Sequence, residues 1–176
     1  MPTTFQLRAW TRFRAGPAEV WALKTDPEKL GAEFRPWLHF SADAEALSRA
    51  LAGAAPASIE GRLRVLGLPP GFAWPVRVRE AQPPRRYVDV SENALYRRFE
   101  HTHLVESTGD GARYLDHVVF EPSFAPKLMG ILTERLFVHR HRVAARSLEA
   151  DPQVTGVTVL RVLAEDELET PSPRPA

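Results

Sequence analysis

The sequence predicts an α+β fold: a curved antiparallel β-sheet wrapped against one long C-terminal α-helix, with two short helices after the first strand. Three observations carry this. Segments from residue 5 onward alternate apolar and polar residues with a period of two, as half-buried strands do. Thr108-Gly109-Asp110-Gly111 is a tight-turn signal between two of these segments. From Pro126 to about Ala150 the apolar residues return at helical spacing instead. A sheet with one apolar face needs a cover, and this helix is the one large element able to supply it.

Phe5, Leu7, Ala9, Thr11 and Phe13 form one face of the first strand, opposite Gln6, Arg8, Arg12 and Arg14. Gly16-Pro17 stops it, and Pro17 suits the first position of a helix that runs to Lys24. Asp26-Pro27-Glu28 reads as the N-cap and start of a second short helix. Residues 36–40 are a short strand, and residues 43–52 have helical composition until Gly53 breaks it. Residues 59–65, 72–78, 86–91 and 97–107 read as four further strands. Pro75 removes a ladder donor and so marks an edge or bulge in the second of them. Residues 112–121 return from the turn. In the long helix, Leu128, Leu132, Leu136, Val143 and Leu148, joined by Met129, Ile131 and Phe137, are expected to form the buried stripe; Asp151-Pro152 ends it. Residues 157–163 are one more β-rich run. The expected organisation is one domain over residues 1–150, an extra strand within 151–164, and a disordered acidic and proline-rich tail over 165–176.

With 23 basic and 22 acidic residues among 176, the net charge is +1. That balance argues against nucleic acid as a partner and against a general electrostatic grip on anionic membranes. The absence of cysteine excludes disulfides, thiolate nucleophiles and zinc sites built on sulfur, and it fits a reducing, cytoplasmic location. No window approaches the roughly 18 apolar residues of a spanning helix, so stable membrane insertion is not expected. Of the 23 basic residues only Lys24, Lys29 and Lys127 are lysine, which together with abundant alanine points to a GC-rich bacterial genome.

The hairpin fixes a register. If Gly109 and Asp110 form the turn, Glu106 faces Arg113 and Arg98 faces Glu121, two opposite-charge pairs that favour this alignment over its neighbours. One face then carries Phe99, His101, His103 and Val105 against Phe120, Val118, Asp116 and Tyr114, with His103 directly opposite Asp116. A carboxylate on an apolar face is costly unless paired and hydrogen-bonded, which a His–Asp pair provides. This pair either closes a polar defect in the core or, with His101 and Tyr114, forms the polar end of a ligand cavity. His101 and His103 with Asp116 are also a conceivable metal-ligand set, but nothing else in the sequence demands a metal, and neither metal nor cofactor is expected. Ser91 and Ser123 lack a nucleophile motif, and there is no phosphate-binding glycine loop or dinucleotide fingerprint. In His139-Arg140-His141-Arg142 one or two residues are expected to cover the cavity mouth. Among the tryptophans, Trp74 on an inward-facing set is the best cavity candidate.

Several of these pieces resemble a known superfamily. Ala18-Glu19-Val20-Trp21, Asp26-Pro27-Glu28-Lys29-Leu30, Pro36-Trp37-Leu38, Pro83-Pro84-Arg85-Arg86-Tyr87-Val88-Asp89, Phe99-Glu100-His101-Thr102-His103, Asp116-His117-Val118 and Phe137-Val138-His139-Arg140-His141-Arg142 occur in the order and spacing of the START and birch-pollen-allergen-like superfamily, also called SRPBCC or polyketide cyclase/dehydrase-like. The resemblance covers about residues 3–148 and implies a helix-grip fold, in which a seven-stranded sheet wraps the terminal helix around a cavity for hydrophobic molecules such as lipids or polyketides. Residues 41–57 depart from it as a helical insertion over the cavity, and residues 154–163 as a strand that pairs with an open edge of its own chain or forms a homodimer with a second copy.

The leading expectation is a binding protein for a small hydrophobic molecule. Phe72, Trp74, Phe99, Val105, Val118, Phe120, Met129 and Leu132 are expected to line the cavity, and His101, His103, Tyr114 and Asp116 to orient the polar end. A cyclase- or dehydratase-type enzyme using His103 and Asp116 as an acid–base pair is the alternative, and a protein-interaction module a third.

Overall fold

The period-two alternation of residues 5–13 becomes β1 (Phe5–Phe13), whose Phe5, Leu7, Ala9, Thr11 and Phe13 are all buried. The structure, a computed structural model, describes residues 3–148 and a strand at 156–162. Gly16-Pro17 leads into α1 (Pro17–Thr25). The Asp26 carboxylate accepts from the backbone amides of Glu28 and Lys29 and starts α2 (Pro27–Glu33). Then come β2 (Leu38–Ala42), α3 (Ala44–Leu51), β3 (Ala57–Ile59), β4 (Gly61–Val65), β5 (Phe72–Ala73), β6 (Val76–Gln82), β7 (Arg86–Ser91), β8 (Tyr96–Thr108), β9 (Gly111–Pro122), α4 (Pro126–Ser147) and β10 (Gly156–Val162).

Seven strands form one antiparallel sheet in the order β10-β1-β9-β8-β7-β6-β3, and β2-β4-β5 form a second, three-stranded sheet. The large sheet and α4 are the helix-grip arrangement. β10 pairs antiparallel with β1 of its own chain. The expected tail at 165–176 lies outside the described residues. No helix among the described residues is long and apolar enough to cross a membrane.

The hairpin register is the expected one: Glu106 faces Arg113, Thr102 faces His117, His103 faces Asp116 and Phe99 faces Phe120. Arg113 donates from Nε to Glu106 at 2.7 Å. At the far end Arg98 faces Glu121 across the ladder, but a register shift beside it gives the ion pair to Arg97 instead, at 3.5 Å.

Three expectations are corrected. The run 59–65 is two strands in two different sheets, and the run 72–78 is likewise divided at Trp74-Pro75. The physical cause is a crossing point: the Trp74 amide donates to the Gly61 carbonyl at 2.8 Å, and a Cβ on Gly61 would collide with the Trp74 carbonyl oxygen. Only glycine allows that approach, so each segment leaves the large sheet here to build the small one. The third correction concerns α4. Its buried face is Met129, Gly130, Thr133, Phe137, Arg140, His141, Ala144 and Ala145, whereas Leu128, Ile131 and Leu132 are exposed. The helix turns its polar residues inward because partners meet them there: Asp116 and Thr11 of the sheet for His141, Tyr96 for Thr133 and Glu33 of α2 for Arg140.

Gly61→Ala is expected to lower stability by about 1–3 kcal/mol through this overpacking, read as a reduced midpoint in urea denaturation. A variant as stable as the wild type would contradict the crossing-point account.

Candidate functional site

β7 and β8 place Asp89, His101 and His103 on the concave face, because residues two apart on a strand share a face. Asp89 pairs with His101 across the β7–β8 ladder, and Tyr87 with His103. The Tyr87 ring stacks on His103 with centroids 3.7 Å apart, and the His101 and His103 rings lie 3.6 Å apart. From β9, Tyr114 and Asp116 rise beneath them, and both are fully buried. From α4, His141 reaches Asp116.

The expected His103–Asp116 pair is present, with His103 Nδ1 3.3 Å from Asp116 Oδ1, but it is not the closest contact of the ring: His103 Nε2 lies 2.9 Å from Asp89 Oδ1 and His103 Nδ1 lies 2.6 Å from the Tyr114 hydroxyl. Asp116 is instead the hub of its own set. It accepts from His101 Nε2 at 2.9 Å, from His141 Nε2 at 3.1 Å and from the Tyr114 hydroxyl. Thr11 on β1 donates to His141 Nδ1 at 2.8 Å and closes the network.

A second buried network escaped the sequence reading. Lys24 at the end of α1 donates to Glu33 of α2 at 2.6 Å, and Arg140 of α4 donates to the other Glu33 oxygen at 3.2 Å. All three are at most 3% exposed, so they are ionic groups inside the core rather than on its surface. Lys24 also sits over the Tyr114 ring at 4.3 Å, and Arg140 lies between the rings of Phe34 and Phe137. In sequence these residues look like ordinary helix-surface charges; only the packing of α1, α2 and α4 brings them together.

The electrostatics follow from burial and partners. Burial pushes the Asp116 carboxyl up, but His101 and the hydrogen bonds from His101, His103 and His141 outweigh it, so Asp116 stays ionised well below the usual carboxylate range. Burial likewise pushes the Asp89 carboxyl up, but the adjacent His103 and His101 rings outweigh it and lower it. His101 falls to about 4, chiefly through burial and the adjacent His103, against the pull of Asp116 and Asp89. Burial also lowers His141 and raises Tyr87 and Tyr114 well above the usual phenol value. Burial opposes the Arg140 charge, but Glu33 and then Asp116 more than compensate and raise its pKa.

These groups meet a cavity of about 100 Å³ between the large sheet, the small sheet and three helices. Its walls are apolar: Leu30 from α2 and Phe34 at its C-terminal end, Leu47 and Leu51 from α3, Leu63 from β4, Trp74 from the link between β5 and β6, Val78 from β6, and Tyr96 and Phe99 from β8. α3 therefore lies over the hollow, in the segment expected to do so. Of the anticipated site residues, Trp74, Phe99, His101 and His103 line the cavity. Tyr114 and Asp116 lie one layer behind it, holding the imidazoles. Val105, Val118, Phe120 and Met129 belong to the packed core. Phe72 is 40% exposed on the small sheet and Leu132 is 49% exposed on the outer face of α4, so both are corrected as lining residues. Asp89, Thr133 and Arg140 are the polar lining residues that went unassigned. The Asp89 signal was the alternation of β7, which puts Tyr87 and Asp89 on one face. Of the basic cluster, Arg140 alone reaches the cavity; His141 is buried behind it and Arg142 is exposed.

Residues 11–148 match the family described as "Domain of unknown function (DUF8410)", and the chain belongs to that family. No curated protein matches it in sequence. Among solved structures it is similar to protein CV1439 from Chromobacterium violaceum (TM-score 0.64, 15% identity, 83% of this chain and 98% of that one). It is similar to the Zhui aromatase/cyclase from Streptomyces sp. R1128 (TM-score 0.63, 12% identity, 83% and 94%). It is also similar to an AHSA1-like protein from Aeromonas hydrophila (TM-score 0.59, 12% identity, 81% and 93%). These likenesses show a shared fold, the antiparallel sheet gripping a C-terminal helix described above.

Two predictions follow from the buried charges. Glu33→Gln leaves Lys24 and Arg140 without their counter-ion, and a loss of about 3–5 kcal/mol is expected in chemical denaturation; a loss under 1 kcal/mol would contradict it. His101 and His117, each held near 4 by burial, take up a proton only when unfolded between pH 6.5 and 4. Stability is therefore full above pH 6.5 and declines as pH falls toward 4. The melting temperature at pH 5 should lie below that at pH 7.5, with a shallower dependence in His117→Gln.

Proposed function

We propose that this DUF8410 protein binds a small hydrophobic molecule carrying one polar group, in the cavity between the large sheet and α4. The observation that carries the reading is the division of the cavity wall. Its walls are mostly aliphatic and aromatic, while Asp89, His101, His103 and Arg140 supply charged and imidazole groups, His101 and Arg140 flanking the Phe137 ring at 5.1 and 4.9 Å. Apolar walls with a few convergent polar groups are the usual design of a small-molecule site. The volume limits the occupant. About 100 Å³ is well below the roughly 300–1,000 Å³ of drug-sized sites, so a compact ligand enters as the protein stands, and a lipid or extended polyketide enters only if α3 and the small sheet swing outward. A fold shared with an aromatase/cyclase supports a cavity of this kind.

One observation favours a catalytic use of the same cavity. His103 faces the hollow with Asp89 on one ring nitrogen and Tyr114 on the other, the arrangement of an oriented general acid–base. His103→Ala separates the two readings, since an enzyme loses turnover with ligand affinity kept.

Native mass spectrometry of the purified protein is expected to show a retained small molecule, and a panel of one- to three-ring phenols and carboxylic acids to contain compounds that raise the melting temperature. Leu47→Trp, which fills the hollow, should abolish both effects. No adduct and no stabilisation across the panel would overturn the binding reading.

A further inference from the structure

We propose that Asp89, His101 and His103 form a binding site for one divalent transition-metal ion at the polar end of the cavity. The proposal is independent of what fills the apolar part.

Hydrogen-bond accounting leads to it. The Tyr114 hydroxyl has one proton and gives it to Asp116, so it accepts from His103, and His103 Nδ1 carries a hydrogen. His101 likewise uses Nε2–H to reach Asp116. A neutral imidazole has one N–H. Both remaining nitrogens, His103 Nε2 and His101 Nδ1, therefore present lone pairs, and both face the same oxygen, Asp89 Oδ1, at 2.9 and 3.9 Å. Two lone pairs directed at a carboxylate repel it unless a cation stands among them. The charge count agrees. Lys24 and Arg140 oppose the buried Glu33 and Asp116 and the partly exposed Asp89, which leaves one negative charge uncompensated when the imidazoles are neutral.

The geometry suits a metal. One ligand atom from each of the three residues lies within 4.8 Å of the others; ligands about 2.1 Å from a tetrahedral ion stand about 3.4 Å apart, so the set closes inward on binding. The outer nitrogens of both histidines are held by Asp116 and Tyr114, as metal-bound imidazoles are usually held by a carboxylate behind them. Asp89, at 14% side-chain exposure, is the ligand with freedom to close on the ion. Two imidazoles and one carboxylate suit Zn²⁺, Fe²⁺ or Co²⁺ and disfavour Mg²⁺ and Ca²⁺. Three protein ligands leave a coordination position open toward the cavity, where an oxygen of a ligand can bind.

The test uses the whole chain, stripped with a chelator and titrated with Co²⁺ and then Zn²⁺. One equivalent of Co²⁺ should bind with visible ligand-field bands, Zn²⁺ should displace it, and Mg²⁺ should not. Asp89→Asn should weaken Zn²⁺ binding at least tenfold, and His139→Gln, outside the cluster, should leave it unchanged. Because the variants can fail to fold, imidazole ¹⁵N spectra of the wild type give a second readout: Zn²⁺ should shift His101 Nδ1 and His103 Nε2. A Zn²⁺ dissociation constant weaker than about 100 μM, no ligand-field bands, or shifts confined to other histidines would overturn the proposal.

Discussion

Everything in this fold accommodates charge buried inside an apolar core. Asp116 is completely enclosed, and an isolated carboxylate there would be untenable. It is tolerated because His101, His141 and Tyr114 all donate to it, one from a neighbouring strand, one from the helix and one from its own strand. Lys24, Glu33 and Arg140 solve the same problem for α1, α2 and α4. These networks orient the helices on the sheet: a helix rotated to bury Leu128 and Leu132 would strand Arg140 and His141 away from their partners. Polar satisfaction overrides the hydrophobic stripe because an unpaired buried charge costs more than exposing two or three leucines.

The pleat of the sheet turns this requirement into a site. On β8 the period of two brings Phe99, His101, His103 and Val105 to one face, and the hairpin register sets Tyr114 and Asp116 against them. The β7–β8 ladder adds Tyr87 and Asp89 from the other side. His101 and His103 thus stand between two carboxylates, one deep in the core and one at the cavity. The deep carboxylate holds the rings, and the outer one lines the cavity beside them.

The small sheet and α3 give the cavity its restricted size. Where β4 and β5 depart from the large sheet at the Gly61–Trp74 crossing, they carry Leu63 over the hollow, and α3 adds Leu47 and Leu51. The volume of the hollow therefore depends on this cover as well as on the large sheet and α4.

The sequence by itself determined the strands, the two capped short helices, the long helix, the hairpin register and the shared face of His101 and His103. All of these rest on local periodicity, turn chemistry and adjacent-strand pairing, which short stretches of chain specify. Tertiary structure alone decided which way α4 faces, where the runs 59–65 and 72–78 divide, that His103 meets Asp89 and Tyr114 as well as its cross-strand neighbour Asp116, and that Lys24, Glu33 and Arg140 meet. Those outcomes depend on contacts between residues far apart in the chain. For them the cost of a buried charge, which no local pattern records, outweighs the preference of any single segment.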